Sequence, residues 1–165
     1  MSLKLYTGKG DLGQTQVKNC TVSKSDVIIK IIGEIDEFQA EIGLAKVLVD
    51  NPDLEIISHM CYLMIGNFSG YSGEPDIDIC ELERKIDIYH KKSRPHPGRF
   101  ISPGSNPIEA QLNKCRVKCR RLERLLVKNG ANYYIPYINR LSSLLYGMGW
   151  FYSSEDEKIV VSSIN

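Results

Sequence analysis

The sequence predicts an all-α fold, an up-and-down bundle of five helices. Apolar residues recur at three- and four-residue steps in five separate segments. The connections between them are short and carry glycine, proline or asparagine, and hardly any stretch alternates as a strand does. The first helix runs from about Val27 to Val49, with Ile35, Phe38, Ile42, Ala45 and Val49 on one stripe; Asn51-Pro52 stops it. The second, about Asp53 to Phe68, carries Leu54, Ile57, Cys61, Met64 and Phe68. A loop from Ser69 to Pro75 leads to the third, about Ile77 to Lys91, with Leu82, Ile86 and Tyr89 inward. The proline- and glycine-dense stretch SRPHPGRFISPGSNP follows. It ends in a helix start, with Asn106 as N-cap, Pro107 at the first position and Glu109 at the third. The fourth helix, PIEAQLNKCRVKCRRLERLLVK, runs to Asn129-Gly130, a glycine stop. The fifth spans Pro136 to about Ser153, with Leu141, Leu144, Leu145, Met148 and Phe151 or Tyr152 packing. The tail KIVVSSI reads as a short extended segment or a frayed end. Residues 1–26 read as loop.

At 165 residues the chain has length for one core and not comfortably for two, so 1–165 is expected to be a single domain. Hydrophobic content of 42% with 25% charge is that of an ordinary globular protein, and a net charge of +1 gives no reason to expect nucleic acid or a membrane surface as partner. No apolar run approaches the roughly 18 residues of a membrane span, and the N-terminus has no signal-type apolar core. The five cysteines form no CxxC pair and Cys115 and Cys119 share the apolar stripe of the fourth helix, which favours packing over metal ligation. A reducing compartment, the cytoplasm, fits best.

Two features carry chemistry. On the fourth helix Leu112, Cys115, Cys119, Leu122 and Leu126 form the buried stripe, while Arg116, Arg120 and Glu123 share a side bordering it, thickened by Arg121 and Arg124. On helix geometry alone such a row reads first as a solvated charged face with i,i+4 pairs. Guanidiniums beside a packing seam also suit bidentate recognition of phosphate or carboxylate. The N-terminal stretch TGKGDLGQT has the composition of a phosphate cradle: glycines admit backbone N–H groups to an anion, Thr7, Lys9 and Thr15 add donors, and Asp11 can orient a ligand or metal. It is neither a Walker loop nor a dinucleotide fingerprint, and alone it reads first as an ordinary terminus. Lys24, in VSKSD, has the same standing. On the first helix Gly33, Asp36, Ala40, Gly43 and Val47 fall together opposite the apolar stripe. Two glycines on one helix face cost about 1 kcal/mol each, and small residues around one carboxylate suggest a subunit contact.

Four blocks in this order resemble the PduO-type ATP:cob(I)alamin adenosyltransferases: YTGKGDLGQT with VSK, GEIDEFQAEIGLA, FISPGS through CRVKCRRLER, and YINRLSSLL. They span residues 6 to 145. The resemblance implies a ferritin-like, cobalamin adenosyltransferase-like bundle assembled as a homotrimer, with ATP and cobalamin as substrates between neighbouring subunits and Mg2+ accompanying ATP. It implies an intersubunit pair between Asp36 and Arg116. Lys24 and Arg120 match positions holding triphosphate; Glu123, Arg124 and Asn139 match positions around nucleotide and metal. Thr7, Gly10, Asp11, Gly13 and Thr15 match the loop that closes over ATP, making 1–26 a nucleotide-binding segment. Phe100 matches the aromatic at the lower face of the corrin, where it would exclude the axial ligand and ease cobalt reduction. A reductase or a cobalamin-dependent enzyme is implied as protein partner.

The sequence departs from the family pattern at several places. Ser143 stands where aspartate is usual and Trp150 where arginine is; Ser105 replaces a glycine, Asn113 a histidine, and Gly8 a basic residue, with Lys9 shifted by one. The segment between Thr15 and Val22 is a residue short. The Ser143 and Trp150 changes bear on cobalamin handling more than on ATP. Two other readings accompany the enzyme: an ATP-binding sensor or cobalamin escort without catalysis, and a trimeric scaffold using Asp36–Arg116 for assembly only.

Overall fold

The first four helices each begin where a side chain satisfies one of the first free N–H groups, while the fifth starts without such a cap. In the computed structural model, which describes residues 6–95 and 102–153, Asp26 accepts from the Ile28 N–H at 3.0 Å to start α1 (Val27–Leu48). Asn51 accepts from Asp53 to start α2 (Pro52–Phe68), and Asp78 from Glu81 to start α3 (Ile79–Lys92). Asn106 accepts from Glu109 to start α4 (Pro107–Lys128). The Glu109 carboxylate reaches back to the Gly104 and Ser105 N–H groups, so this turn is held from both sides. Gly130, at φ 68°, ends α4 in the left-handed conformation that glycine adopts without strain. A 3₁₀ turn, Asn132–Tyr134, leads into α5 (Ile135–Tyr152).

One difference lies at the N-terminus. Part of the segment expected as loop forms a hairpin, β1 (Gln14–Val17) antiparallel to β2 (Cys20–Ser23), with Thr15 opposite Val22. The strands are four residues each and their two-residue turn contains no glycine. Lys18 takes the left-handed conformation there, at φ 51°, so the usual hairpin signature is missing from the sequence. Phe100 and the KIVVSSI tail lie outside the described residues.

The helices share one core. Ile35, Ile42, Leu112, Cys115, Cys119, Leu122 and Leu126 are fully buried, and Phe38, Leu141 and Met148 nearly so. Val49, Phe68, Ile86 and Tyr152 pack only partly against that core, and Phe151 is exposed. α5 packs against both α3 and α4, and α1 against α2 and α4. At one end, hydrogen bonds tie these layers together. Asn51 donates to the hydroxyls of Tyr89 (2.7 Å) and Tyr152 (3.0 Å), and Tyr89 donates to Asp53, which also pairs with Lys85.

Where α1 crosses α4, their charges form a ladder: Lys114 with Glu41, Lys118 with Glu37, and Arg121 with Glu34. Burial pushes the Glu41 carboxyl up, but hydrogen bonds from Lys114 and Gln111 outweigh it and hold the group below its ordinary value of 4.5. A carboxylate lowered by folding adds stability above its unfolded pKa and loses it as pH falls through the folded one. Glu41→Gln should therefore flatten the decline of melting temperature between about pH 5 and 3; a slope equal to that of the unsubstituted protein would contradict this role.

Candidate active site

The ladder sorts the cations of α4. Lys114, Lys118 and Arg121 are neutralised by α1, so Arg121 does not belong with the site row where the helix pattern alone had placed it. Arg116, Arg120 and Arg124 have no carboxylate partner among the described residues; Arg116 only donates from Nε to Asn113 Oδ1 at 2.9 Å. Arg116 and Arg120 line a cleft of about 640 Å3 between α3, α4 and α5. Its other walls are Ile86, Asp87, His90 and Ser93 from α3 and its C-terminal flank, and Ser142, Ser143, Tyr146, Gly147 and Trp150 from α5. The cleft exists because α3 and α5 approach closely at Gly147, where a β-carbon would stand 3.4 Å from that of Tyr89.

The antiparallel packing of α4 on α5 brings two further predicted residues together. Asn139 Nδ2 donates to Glu123 Oε1 at 2.9 Å, and its Oδ1 accepts from Arg140, which also pairs with Glu83. Glu123 is thus oriented by a neutral amide and left beside the arginine row. Arg124 is exposed one residue further on.

The N-terminal residues form a second cluster. Gly8 and Gly13 have φ of 70° and 77°, conformations that favour glycine. The Asp11 N–H donates to the Gly8 carbonyl and the Gly13 N–H to that of Gly10, which curls the loop. The Lys24 N–H donates to the Gly13 carbonyl at 2.8 Å, and a β-carbon at Gly10 would stand 2.9 Å from Lys24 Nζ. Thr7, Gly10, Asp11 and Gly13 are thereby gathered with Lys24 into one exposed turn, with Thr15 on the adjoining strand.

Within one chain the two clusters stay apart: among the described residues no hydrogen bond or ion pair joins residues 6–24 to α4. Among the described residues Asp36 makes no ion pair either and is exposed, with no described atom within 4 Å of a β-carbon at Gly33 or Gly43 and with Val47 82% exposed. No ion pair among the described residues joins Asp36 to Arg116, and none joins the two clusters. Among the described residues no group of three or more His, Cys, Asp or Glu side chains could hold a metal ion.

Sequence reasoning missed the α3 wall, having read that helix only for packing. The signal was there in Asp87 and His90, three apart on the polar side of the Leu82–Ile86–Tyr89 stripe. Trp150, read only as the loss of a charge, is a wall of the same cleft.

Comparison with known proteins agrees with the helical fold. The family model described as cobalamin adenosyltransferase matches residues 5–152. A cobalamin adenosyltransferase from Cupriavidus metallidurans is 33% identical over 156 residues, covering 87% of this chain and 84% of that one. A corrinoid adenosyltransferase from Citrobacter freundii is 30% identical over 165 residues, covering 88% and 92%. Among solved structures, a phenylalanine-to-alanine variant of the PduO-type ATP:corrinoid adenosyltransferase from Lactobacillus reuteri, complexed with cobalamin and ATP, superposes with a TM-score of 0.81. It is 25% identical, over 90% of this chain and 92% of that one. With the family model matched over residues 5–152 and relatives up to 33% identical along most of both chains, the chain belongs to the cobalamin adenosyltransferase family.

Proposed function

We infer that the protein transfers the 5′-deoxyadenosyl group of ATP to the cobalt of cob(I)alamin and releases triphosphate. The observation that carries this reading is the sorting of charge on α4: three cations are consumed by α1, while Arg116 and Arg120 point without carboxylate partners into a cleft. The Lactobacillus reuteri protein binds ATP and cobalamin on the same fold.

Reduced corrinoid cobalt is itself a strong nucleophile, so the chain need not supply one. Its task is to hold the 5′ carbon of ATP in line with the metal and to stabilise the departing triphosphate. Arg120, and Lys24 above the Gly10 turn, are suited to the phosphate oxygens by charge and donor geometry. The glycine turn offers backbone N–H groups, and a larger residue at position 10 would push the Lys24 ammonium aside. Glu123, oriented by Asn139, can balance the arginine row or meet a divalent cation carried by the triphosphate; with no three-carboxylate cluster nearby, Mg2+ would take most of its ligands from phosphate and water.

The active unit is a homotrimer in which Asp36 of one copy meets Arg116 of the next. What supports this is an exposed carboxylate in a small-residue face and a guanidinium without a carboxylate on the same chain. The single domain is then one bundle whose first 26 residues serve a nucleotide site. All five cysteines are free thiols, which suits the cytoplasm, and among the described residues no helix is long and apolar enough to cross a membrane. Electrons would come from a reductase, and the product would pass to a cobalamin-dependent enzyme.

The test is anaerobic incubation of chemically reduced cobalamin with ATP, magnesium and the protein. The expected result is equimolar adenosylcobalamin and triphosphate above the protein-free rate. ATP bound by calorimetry without either product would leave only a nucleotide-binding module, and no ATP binding would leave a scaffold.

A further inference from the structure

The cleft has two unlike sides. Arg116 and Arg120 face it from α4, whereas Ile86, Tyr146, Gly147 and Trp150 give the α3–α5 side an apolar, largely aromatic surface. Trp150 is not loosely placed there. Its indole Nε1–H donates to the Arg94 carbonyl at 2.9 Å, and the Arg94 guanidinium lies over the ring, 4.3 Å from its centroid. The same guanidinium donates to Ser153 Oγ at 3.1 Å, and Ser153 Oγ donates to the Trp150 carbonyl at 2.7 Å. The indole is held by its edge, by one face and through the helix end. It remains part-exposed toward the cleft.

A rigid, part-exposed indole beside Asp87, His90 and Ser93 suits a broad apolar macrocycle edged with amides, since the ring gives area at little entropic cost and the polar rim serves the amides. Arg120, across the cleft, suits the triphosphate. We propose that Trp150, with Arg94 as its positioning residue, forms the wall against which the corrinoid is set, and that this pair governs corrinoid affinity without acting on ATP. The inference rests on the adenosyltransferase reading above. Its rival is a structural role only, in which Trp150 does no more than fasten Arg94 to the end of α5.

The test is initial-rate kinetics of the whole protein with each substrate varied in turn. Trp150→Ala should raise the KM for cob(I)alamin by about tenfold and leave the KM for ATP within about twofold, with Trp150→Phe restoring most of the loss. Arg94→Ala, which keeps the indole but removes its support, should raise the corrinoid KM by about threefold, and Arg94→Lys should recover it. If Trp150→Ala does not fold, Trp150→Phe and the Arg94 pair carry the same comparison. An unmoved corrinoid KM in an active protein would overturn the inference, as would equal rises in both KM values or a rise for ATP alone, which would put the adenine on the indole. Absence of turnover in the unsubstituted protein would instead overturn the adenosyltransferase reading.

Discussion

Arg120→Ala is expected to lower kcat/KM for ATP by about a hundredfold, near 3 kcal/mol of transition-state stabilisation, with the fold intact. The size follows from where the side chain sits. Arg120 lines the cleft and has no carboxylate partner among the described residues, so its charge is available to a phosphate group instead of spent on a salt bridge. The same position explains the intact fold: the residue is exposed, while its neighbour Cys119 is fully buried and carries the packing. Arg121→Ala is the control. That guanidinium pairs with Glu34, so its loss should cost at most about 1 kcal/mol of stability and little activity. Steady-state kinetics on both variants, with melting curves, separates the two. Equal effects would mean that the sorting of charge on α4 has no functional meaning.

Asp36→Asn should dissociate the assembly. Asparagine preserves size and much of the hydrogen bonding but leaves Arg116 facing a neutral partner at an interface, a change that costs about 3–5 kcal/mol when the pair is desolvated. Asp36 makes no ion pair among the described residues, so the individual bundle should keep its helical signal and core. Sedimentation over a range of protein concentrations should show the variant shifting to single chains where the unsubstituted protein remains trimeric, with activity falling in parallel. A variant with unchanged mass and unchanged activity would remove Asp36 from both assembly and site.

Much of this was legible from residues alone, and the reasons are local. The ends of α4 are written in Asn106-Pro107 and Gly130, and its five-residue stripe from Leu112 to Leu126 is buried throughout. The small-residue face of α1 is visible as glycines that none of the described residues covers. What was not legible depends on where one element lies against another. Which of Arg121 and Arg124 is paired within the described residues is decided by α1, whose Glu34 and Glu37 reach the first and not the second. Asp87 and His90 become cleft residues only because α3 comes close to α5 at Gly147. The hairpin before α1 escaped notice because its turn is Lys18-Asn19, with no glycine to mark it. Phe100, assigned to the corrin's lower face by resemblance, lies outside the described residues, and its role stays a proposal.

On the proposed reading, one chain carries two halves of an ATP site, the Lys24 turn and the Arg120 face, and neighbouring copies bring them together. Co-assembly of two strongly impaired variants tests this directly. Lys24→Ala removes the cation of the N-terminal turn, and Arg120→Ala removes that of α4. If the halves meet across subunits, mixed trimers contain some sites with both residues intact. Activity should then return to about a quarter of the unsubstituted level on equal mixing, far above the residual activity of either variant alone. Mixed assemblies that form and yet stay inactive would show that the two halves belong to the same chain.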